Sequence, residues 1–367
     1  MKLPQIHIPK LDWYIIKKFL GTFFFTLLLA TIIVIIFDLS EKVDKFVEKQ
    51  VPLTEIVFQY YGGFIPWILN SFSPLLVFIS AIFFTSKLAQ NSEIVAILAG
   101  GVSFKRLMRP YMISAGVIAI FSFVLSQYII PPANNARLEF ENKYIKSQAN
   151  VASNQRDVHY QLSPGEFVYL EQFSQWSNTA YRFTLEKVEN GRLLSKLSAE
   201  SASWDSTTCS WQLKNYFIRD FYGESEIVHT GKTADTTISL TIADFYRRRN
   251  IVESLSKKDL NEMIQVQKMR GDAEIKRSLI EKHNRIAMPF SAFVLTIIAV
   301  SLSSRKKRGG LGLNIGIGLA LSFSYILFMR FSQMFVHTGS LPPFVAMWIP
   351  NVLYALIAVM LYRLAPK

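Results

Sequence analysis

Six uncharged apolar runs punctuate the chain: Phe19–Phe37, Ile56–Ser86, Pro110–Ala136, Ile286–Ser304, Gly309–Met329 and Phe344–Tyr362. Each can cross a hydrocarbon core, which takes roughly 20 predominantly apolar residues. A backbone in lipid must satisfy its own hydrogen bonds, so all six are predicted to be helices. They fall into two groups of three. The stretch between them, Arg137 to Arg285, is dense in charge and lies outside the membrane. The second run exceeds one crossing and carries Pro66 and Pro74. It divides into a lead-in helix, a bend and the span proper.

Between Gln155 and Thr241 the period changes to two, with many aromatic and β-branched residues. The predicted strands are Asp157–Leu162, Glu166–Phe173, Ala180–Val188, Arg192–Trp204, Ser210–Phe221, Glu226–His229 and Thr236–Ile242. Turn signals separate them at Ser163-Pro164-Gly165, Asn190-Gly191, Asp205-Ser206 and Gly223. Asn-Gly between two alternating runs is a strong hairpin signal. Short strands at this spacing predict an antiparallel sandwich or roll. The domain begins soon after Pro131-Pro132 and gives way to helix near Ser256, with a stop at Gly271. A second helix runs from Asp272 into the fourth span, kinked at Pro289. The fold class is therefore a membrane α-helical protein with an inserted all-β domain. Residues 1–136 form the first three-span part, 137–250 the β domain, 251–285 a helical connector and 286–367 the second three-span part.

Charge sets the orientation. Lys10, Lys17, Lys18, Lys87, Lys105, Arg106, Arg109, the run Arg305-Lys306-Lys307-Arg308, Arg363 and Lys367 all fall on one side of a six-span layout. The link from His337 to Pro343 on the other side has no Lys or Arg. The positive-inside bias places both termini in the cytoplasm and the β domain outside. Much of the net charge of +13 is thereby explained by topology and anionic lipid, and no base-reading motif points to nucleic acid. With one cysteine, Cys209, the outer domain holds no internal disulfide. The first span is too long for a signal-peptide core and has no small-residue cleavage site before Asp38, so it stays as a permanent helix.

The search for catalytic chemistry returns little. The chain has no phosphate-binding GxxxxGK[ST] loop, no HExxH pair among its five histidines and no GxSxG elbow. Asp38, Glu41, Asp44 and Glu48 alternate with Lys42, Lys45 and Lys49, which reads as a solvated, self-paired helix face. The chain is therefore no enzyme and carries no cofactor, and any energy source lies in another protein.

Three features stand above this background. Asn91-Ser92-Glu93 can cap a two-turn apolar helix with Ile94, Val95, Ile97 and Leu98, ended by Gly100-Gly101. It fits a groove in a partner protein or lies on the bilayer surface. Gly309, Gly310, Gly312, Gly316 and Gly318 crowd one half of the fifth span, with Gly312 and Gly316 at GxxxG spacing. They serve either a sliding contact with another helix or static packing within the chain. Arg330 is the only charge between Gly309 and Tyr362, about 30 Å from the basic loop. It either snorkels to water or meets an anionic headgroup.

The stretch LAQNSEIVAILAGGVSFKRLMRP, residues 88–110, resembles the cytoplasmic loop of the LptF/LptG lipopolysaccharide-export permeases. So do HNRIAMPFSAFVLTIIAVSLSSRKKRGGLGLNIGIGLALSFSYI and HTGSLPPFVAMWIPNVLY, and the three-plus-three layout matches along essentially the whole chain. The resemblance implies a multi-pass protein of the bacterial inner membrane with a periplasmic β-jellyroll, working beside a paralogous LptF/LptG subunit. It implies a dimeric LptB-type ATPase that binds ATP and magnesium, coupled here through Glu93, Ile94, Ile97 and Leu98. Lipopolysaccharide would pass between the first and fifth spans to the jellyroll and on to a bridge of LptC and LptA. Family members that meet lipid phosphate with a lysine place it in the outer half of the first span. Thr31 to Phe37 has no basic residue, so Lys42, Lys45 and Arg330 are the candidates. Lipoprotein-releasing and force-transmitting permeases typically carry four spans, and a membrane-anchored sensor needs neither six spans nor glycines concentrated in one.

Overall fold

A computed structural model describes residues 9–145, 155–174, 176–223, 225–238, 240, 241, 245, 251–272, 274–304 and 310–365. It contains six helices long and apolar enough to cross a membrane. The first, α1 (Lys10–Glu48), has 39 residues. At 1.5 Å per residue it is about 58 Å long, almost twice a hydrocarbon core. The helix continues past the apolar run through the charged tail and ends where Gln50 turns to φ 48°. The sequence put that whole tail in water. Asp38 is instead 8% exposed, and the Tyr60 hydroxyl donates to it at 2.9 Å. The alternating signs concealed an aromatic neighbour brought up by the next segment.

After a wide turn over Ile56–Tyr61, the second run splits as its prolines predict. Helix α2 (Gly62–Ser71) stops at Phe72, and α3 (Ser73–Gln90) restarts with Pro74 in its first turn. The loop helix α4 (Glu93–Ala99) leads into α5 (Phe104–Val124). The third run passes through Pro131-Pro132, and its helix outlasts the predicted end at Ala136. Helix α6 (Ile130–Phe140) carries both prolines, and helical structure persists to Ile145. A proline clashes with the carbonyl four residues back. The wide turn at Leu125–Ile129 lies over those carbonyls and moves them out of register, so the rod bends without breaking. Helix α7 (Lys257–Met269) ends at Gly271, φ 63°. Helices α8 (Ile275–Ser303, with Pro289 inside), α9 (Gly310–His337) and α10 (Pro343–Leu364) complete the chain. The basic run 305–308 lies outside the described residues.

The chain divides into two compact units. One holds the described helices up to Phe140, Glu253–Lys257 and the residues from Leu279 onward; the other is Glu141–Val252 with Lys258–Ser278. In the helical unit the buried centre includes Phe19, Phe78, Tyr111, Leu295, Ile298 and Tyr325. Lipid is as apolar as leucine, so close fit and interhelical hydrogen bonds must hold these helices, at about 0.6 kcal/mol per bond and at most about 1.7. Both are present. The Tyr325 hydroxyl donates to Asn351 Oδ1 at 2.9 Å, and Asn351 Nδ2 donates to the Ala287 carbonyl at 2.8 Å, tying α8, α9 and α10. The Ser332 hydroxyl donates to the Ala346 carbonyl. Near the connection to the other unit, Trp67 Nε1 donates to Glu253 at 2.7 Å, and buried Arg285 bonds the Leu255 carbonyl at 2.9 Å and Glu281 at 2.7 Å.

The other unit is built on one antiparallel sheet whose strands pair in sequence order. They are β1 (Gln155–Ser163), β2 (Glu166–Ser174), β3 (Thr179–Glu189), β4 (Arg192–Asp205), β5 (Ser210–Tyr222) and β6 (Ser225–Thr236). Asn190 and Gly191 both take positive φ, as a tight primed hairpin requires. Two strands were predicted after Gly223, at Glu226–His229 and Thr236–Ile242. One long strand replaces them, and the described residues 237, 238, 240 and 241 are not strand. Most of β6 is exposed on both faces, so no alternation marks its length.

One row of this sheet is irregular across all six strands. Buried or inward residues are two apart elsewhere but three apart at Leu170/Phe173, Ala180/Phe183, Ala199/Ala202 and Leu213/Tyr216. The extra residues are Asp157, Glu171, Arg182, Glu200, Asn215 and Lys232, which the ladder leaves out. Asp157, Arg182 and Asn215 have φ of 51°, 48° and 47°. A bulge in one strand would shift its register. Here every strand carries the extra residue, so pairing resumes unshifted while each strand exchanges its faces. Arg182 bonds Glu171 at 2.8 Å along this crease, and Asn215 Nδ2 donates to Glu200 at 2.5 Å.

Candidate functional site

The loop helix α4 is built by its ends. Gly101 at φ 85° lets the Gly101 and Val102 amides donate back to the Leu98 and Ile97 carbonyls, a left-handed stop. At its start Ser92 takes φ 64° and makes no cap bond, so the predicted serine cap is absent. Glu93 does the fastening instead. The Tyr14 hydroxyl donates to its Oε2 at 3.1 Å, and Asn91 Nδ2 to its Oε1 at 3.3 Å. Ile94 is 1% exposed in the bundle core, and Ile97 and Leu98 lie half-buried against that core. The face left open is Val95, 54% exposed, with Ala96 and Ala99. Of the four residues predicted for coupling, three therefore look inward and Glu93 holds α1.

Next to this site, Arg106 makes a two-pronged bond to Asp12, Nη1–Oδ1 2.7 Å and Nη2–Oδ2 2.8 Å. The sequence reading missed Asp12 and Tyr14. They lie 94 and 79 positions from their partners, a separation no local pattern reports.

The predicted lipid-binding cations are each placed differently. Lys42 bonds Asp38 and the Tyr60 hydroxyl, with its ammonium 4.8 Å from the Tyr60 ring and 5.3 Å from that of Phe64. Lys45 is exposed one turn on. Arg330 is exposed on α9 and donates to Gln333 at 3.2 Å. Each of Lys42 and Arg330 is thus held by neighbours of its own rather than by the other.

The glycines of α9 separate by role. A side chain at Gly318 would meet Ile82 Cδ1 at 2.2 Å, because α9 packs on α3 there. Gly312 and Gly316 meet nothing within 4 Å and are exposed. Static packing within the chain thus belongs to Gly318, and the GxxxG pair faces away from its own bundle.

In the sheet unit Val168, Leu170, Phe173, Phe183 and Trp211 fill the covered face, and Trp211 Nε1 donates to the Leu240 carbonyl at 2.8 Å. Phe167, Tyr169 and Tyr181 stand on the opposite face. Phe167 and Tyr169 border a cleft of about 510 Å³ with Thr184, Glu186, Lys196 and Arg270. Burial and then the Asp157 carboxylate, to which its hydroxyl donates at 3.2 Å, raise the Tyr169 phenol above its ordinary pKa. By alternation from the covered residues, Leu197, Tyr216, Ile218 and Ile227 continue the inner face. That face opens toward β6, where Ile227 is exposed.

Among the described residues no cluster of His, Cys, Asp or Glu forms a metal site. No curated protein sequence matches the chain. The family described as "Lipopolysaccharide export system permease LptF/LptG" matches residues 13–364, nearly the whole chain. Six membrane-length helices with a six-stranded domain set between the third and fourth agree with that match. The chain belongs to the LptF/LptG family of lipopolysaccharide-export permeases.

Proposed function

We propose that this chain is one membrane subunit of an ATP-driven exporter that draws lipopolysaccharide from the inner membrane. A paralogous LptF/LptG subunit completes the path, and a dimeric LptB-type ATPase, holding ATP and magnesium, drives it. The termini and α4 face the cytoplasm, as the basic residues favour. The observation that carries the ATPase assignment is α4 itself. It is a short helix closed by the turn at Gly101 and anchored by Ile94, with a small apolar face of Val95, Ala96 and Ala99 turned outward. Such a face suits a shallow groove.

At the opposite end of the bundle, Lys42, Lys45 and Arg330 meet the phosphates of the lipid as charge-assisted partners. Lys42 does so by exchanging Asp38 and Tyr60 for the ligand. Gly312 and Gly316 offer α9 a close, weakly held contact to a helix of the partner subunit. Acyl chains then reach the inner face of the sheet at its open side, by Leu197, Ile218 and Ile227, on the way to an LptC- and LptA-type bridge. Replacing Val95 by Asp tests the ATPase assignment. The variant should reach the membrane folded, with the same thermal midpoint in detergent, and retain little ATPase in a pull-down. A full complement of ATPase on the Val95→Asp protein would remove α4 as the docking element.

A further inference from the structure

The base of α1 is gripped from two directions. Tyr14 donates to Glu93 on α4 at 3.1 Å, and Asp12 takes both prongs of Arg106 on the first turn of α5 at 2.7 and 2.8 Å. The same α5 turn is pinned by Ser103, whose hydroxyl accepts from the Arg106 amide at 3.3 Å. Just above, Ile15, Ile16 and Phe19 are buried, with the Phe19 ring 5.6 Å from Tyr111 and 6.4 Å from Phe84. Between Phe24 and Phe37 the helix loses its cover, which returns at Asp38 and Phe46. Phe25, Leu28, Ile33, Ile36 and Phe37 are all more than half exposed, and only 11% of the apolar window is buried.

We propose that Asp12 and Tyr14 are positioning residues that pass movement of α4 to the uncovered length of α1. The argument is mechanical. A helix held at its base and again at Asp38 and Phe46, but bare between, passes a tilt of the base along that bare stretch, and from Tyr14 to Phe37 it spans about 35 Å. One degree of tilt at the grip then displaces the far edge of that stretch, beside the Asp38–Tyr60 contact, by about 0.6 Å. A planar guanidinium on a carboxylate fixes angle as well as distance, so the Asp12–Arg106 pair transmits rotation that a single contact would lose. Tyr14 adds a link directly to the loop helix. The far end so moved carries Asp38, Lys42 and Lys45. The inference rests on the reading of α4 as the ATPase-docking helix.

The test uses the whole exporter, reconstituted with its ATPase and partner subunit, and measures bound ATPase, ATP hydrolysis and lipopolysaccharide released per ATP. Tyr14→Phe, Asp12→Asn and the exchanged pair Asp12→Arg with Arg106→Asp are compared with the unaltered chain. The two single variants should keep their ATPase and its hydrolysis while release per ATP falls about tenfold, a coupling loss of about 1.4 kcal/mol. The exchanged pair should recover most of the release lost in Asp12→Asn. Unchanged release per ATP in both single variants overturns the proposal. A proportional fall of hydrolysis and release also overturns it, because that marks a merely structural role. If Val95→Asp keeps its ATPase while Tyr14→Phe lowers release per ATP, the docking assignment fails and the grip stands as a separate link.

Discussion

At the scale of single residues, the glycines of α9 show what a pattern can and cannot report. The spacing of Gly312 and Gly316 is plain in the sequence, and it does mark a helix side free of bulk. Which glycine meets a neighbour depends on the rotation of α9 about its axis. That rotation is set by Ile82 and Phe78 on α3, more than 200 positions earlier. Substituting Gly318 by Val should lower the thermal midpoint in detergent, at a cost of about 1–3 kcal/mol, because the buried Ile82 and Phe78 side chains must shift to admit it. Gly316→Val should leave the midpoint of the isolated subunit unchanged. Equal loss from both would mean that α9 is not packed as described. Lys42 teaches the same lesson for charge. Its sign was legible, but its hold on Asp38 and Tyr60 was not, since Tyr60 arrives from another element.

Elements fared according to how local their causes are. The split of the second run at Phe72 follows from Pro66 and Pro74 and could be read directly. The third run reads through Pro131-Pro132 to Ala136, and a wide turn one step earlier absorbs the clash of those prolines. Its helical extension to Ile145 was hidden because that stretch is no longer apolar. The long edge strand β6 was read only in part, at Glu226–His229, because both its faces meet solvent. The crease escaped for a different reason: three-residue spacing in one strand resembles noise, and only pairing reveals that all strands share it. Asn215 tests its backbone. An L-residue held in the left-handed region costs roughly 1–2 kcal/mol, less for Asn and nothing for Gly. Asn215→Gly relieves the backbone and gives up only the exposed bond to Glu200, so it should cost the sheet little, whereas Asn215→Val should weaken it by about 1–2 kcal/mol in chemical unfolding followed by tryptophan fluorescence. Equal stability of the two variants would refute the assigned φ.

The whole molecule was the most legible level, because lipid imposes so blunt a rule. A backbone that must satisfy itself over roughly 20 residues leaves long uncharged runs that nothing else produces. Less visible was that Glu253–Lys257, which follow the sheet in sequence, belong with the helices through Trp67 and Arg285. The creased sheet, finally, restricts how this protein can vary by descent. Loss of one crease residue from a single strand would leave half that strand inside-out beside neighbours that stayed in phase, burying charge and exposing its apolar side. Single-residue insertions and deletions are thus barred from these strands unless all six change together. Homologous sequences should show the three-residue spacing in every strand or in none, and a lineage that keeps it in only one or two would show the row to be six separate accidents.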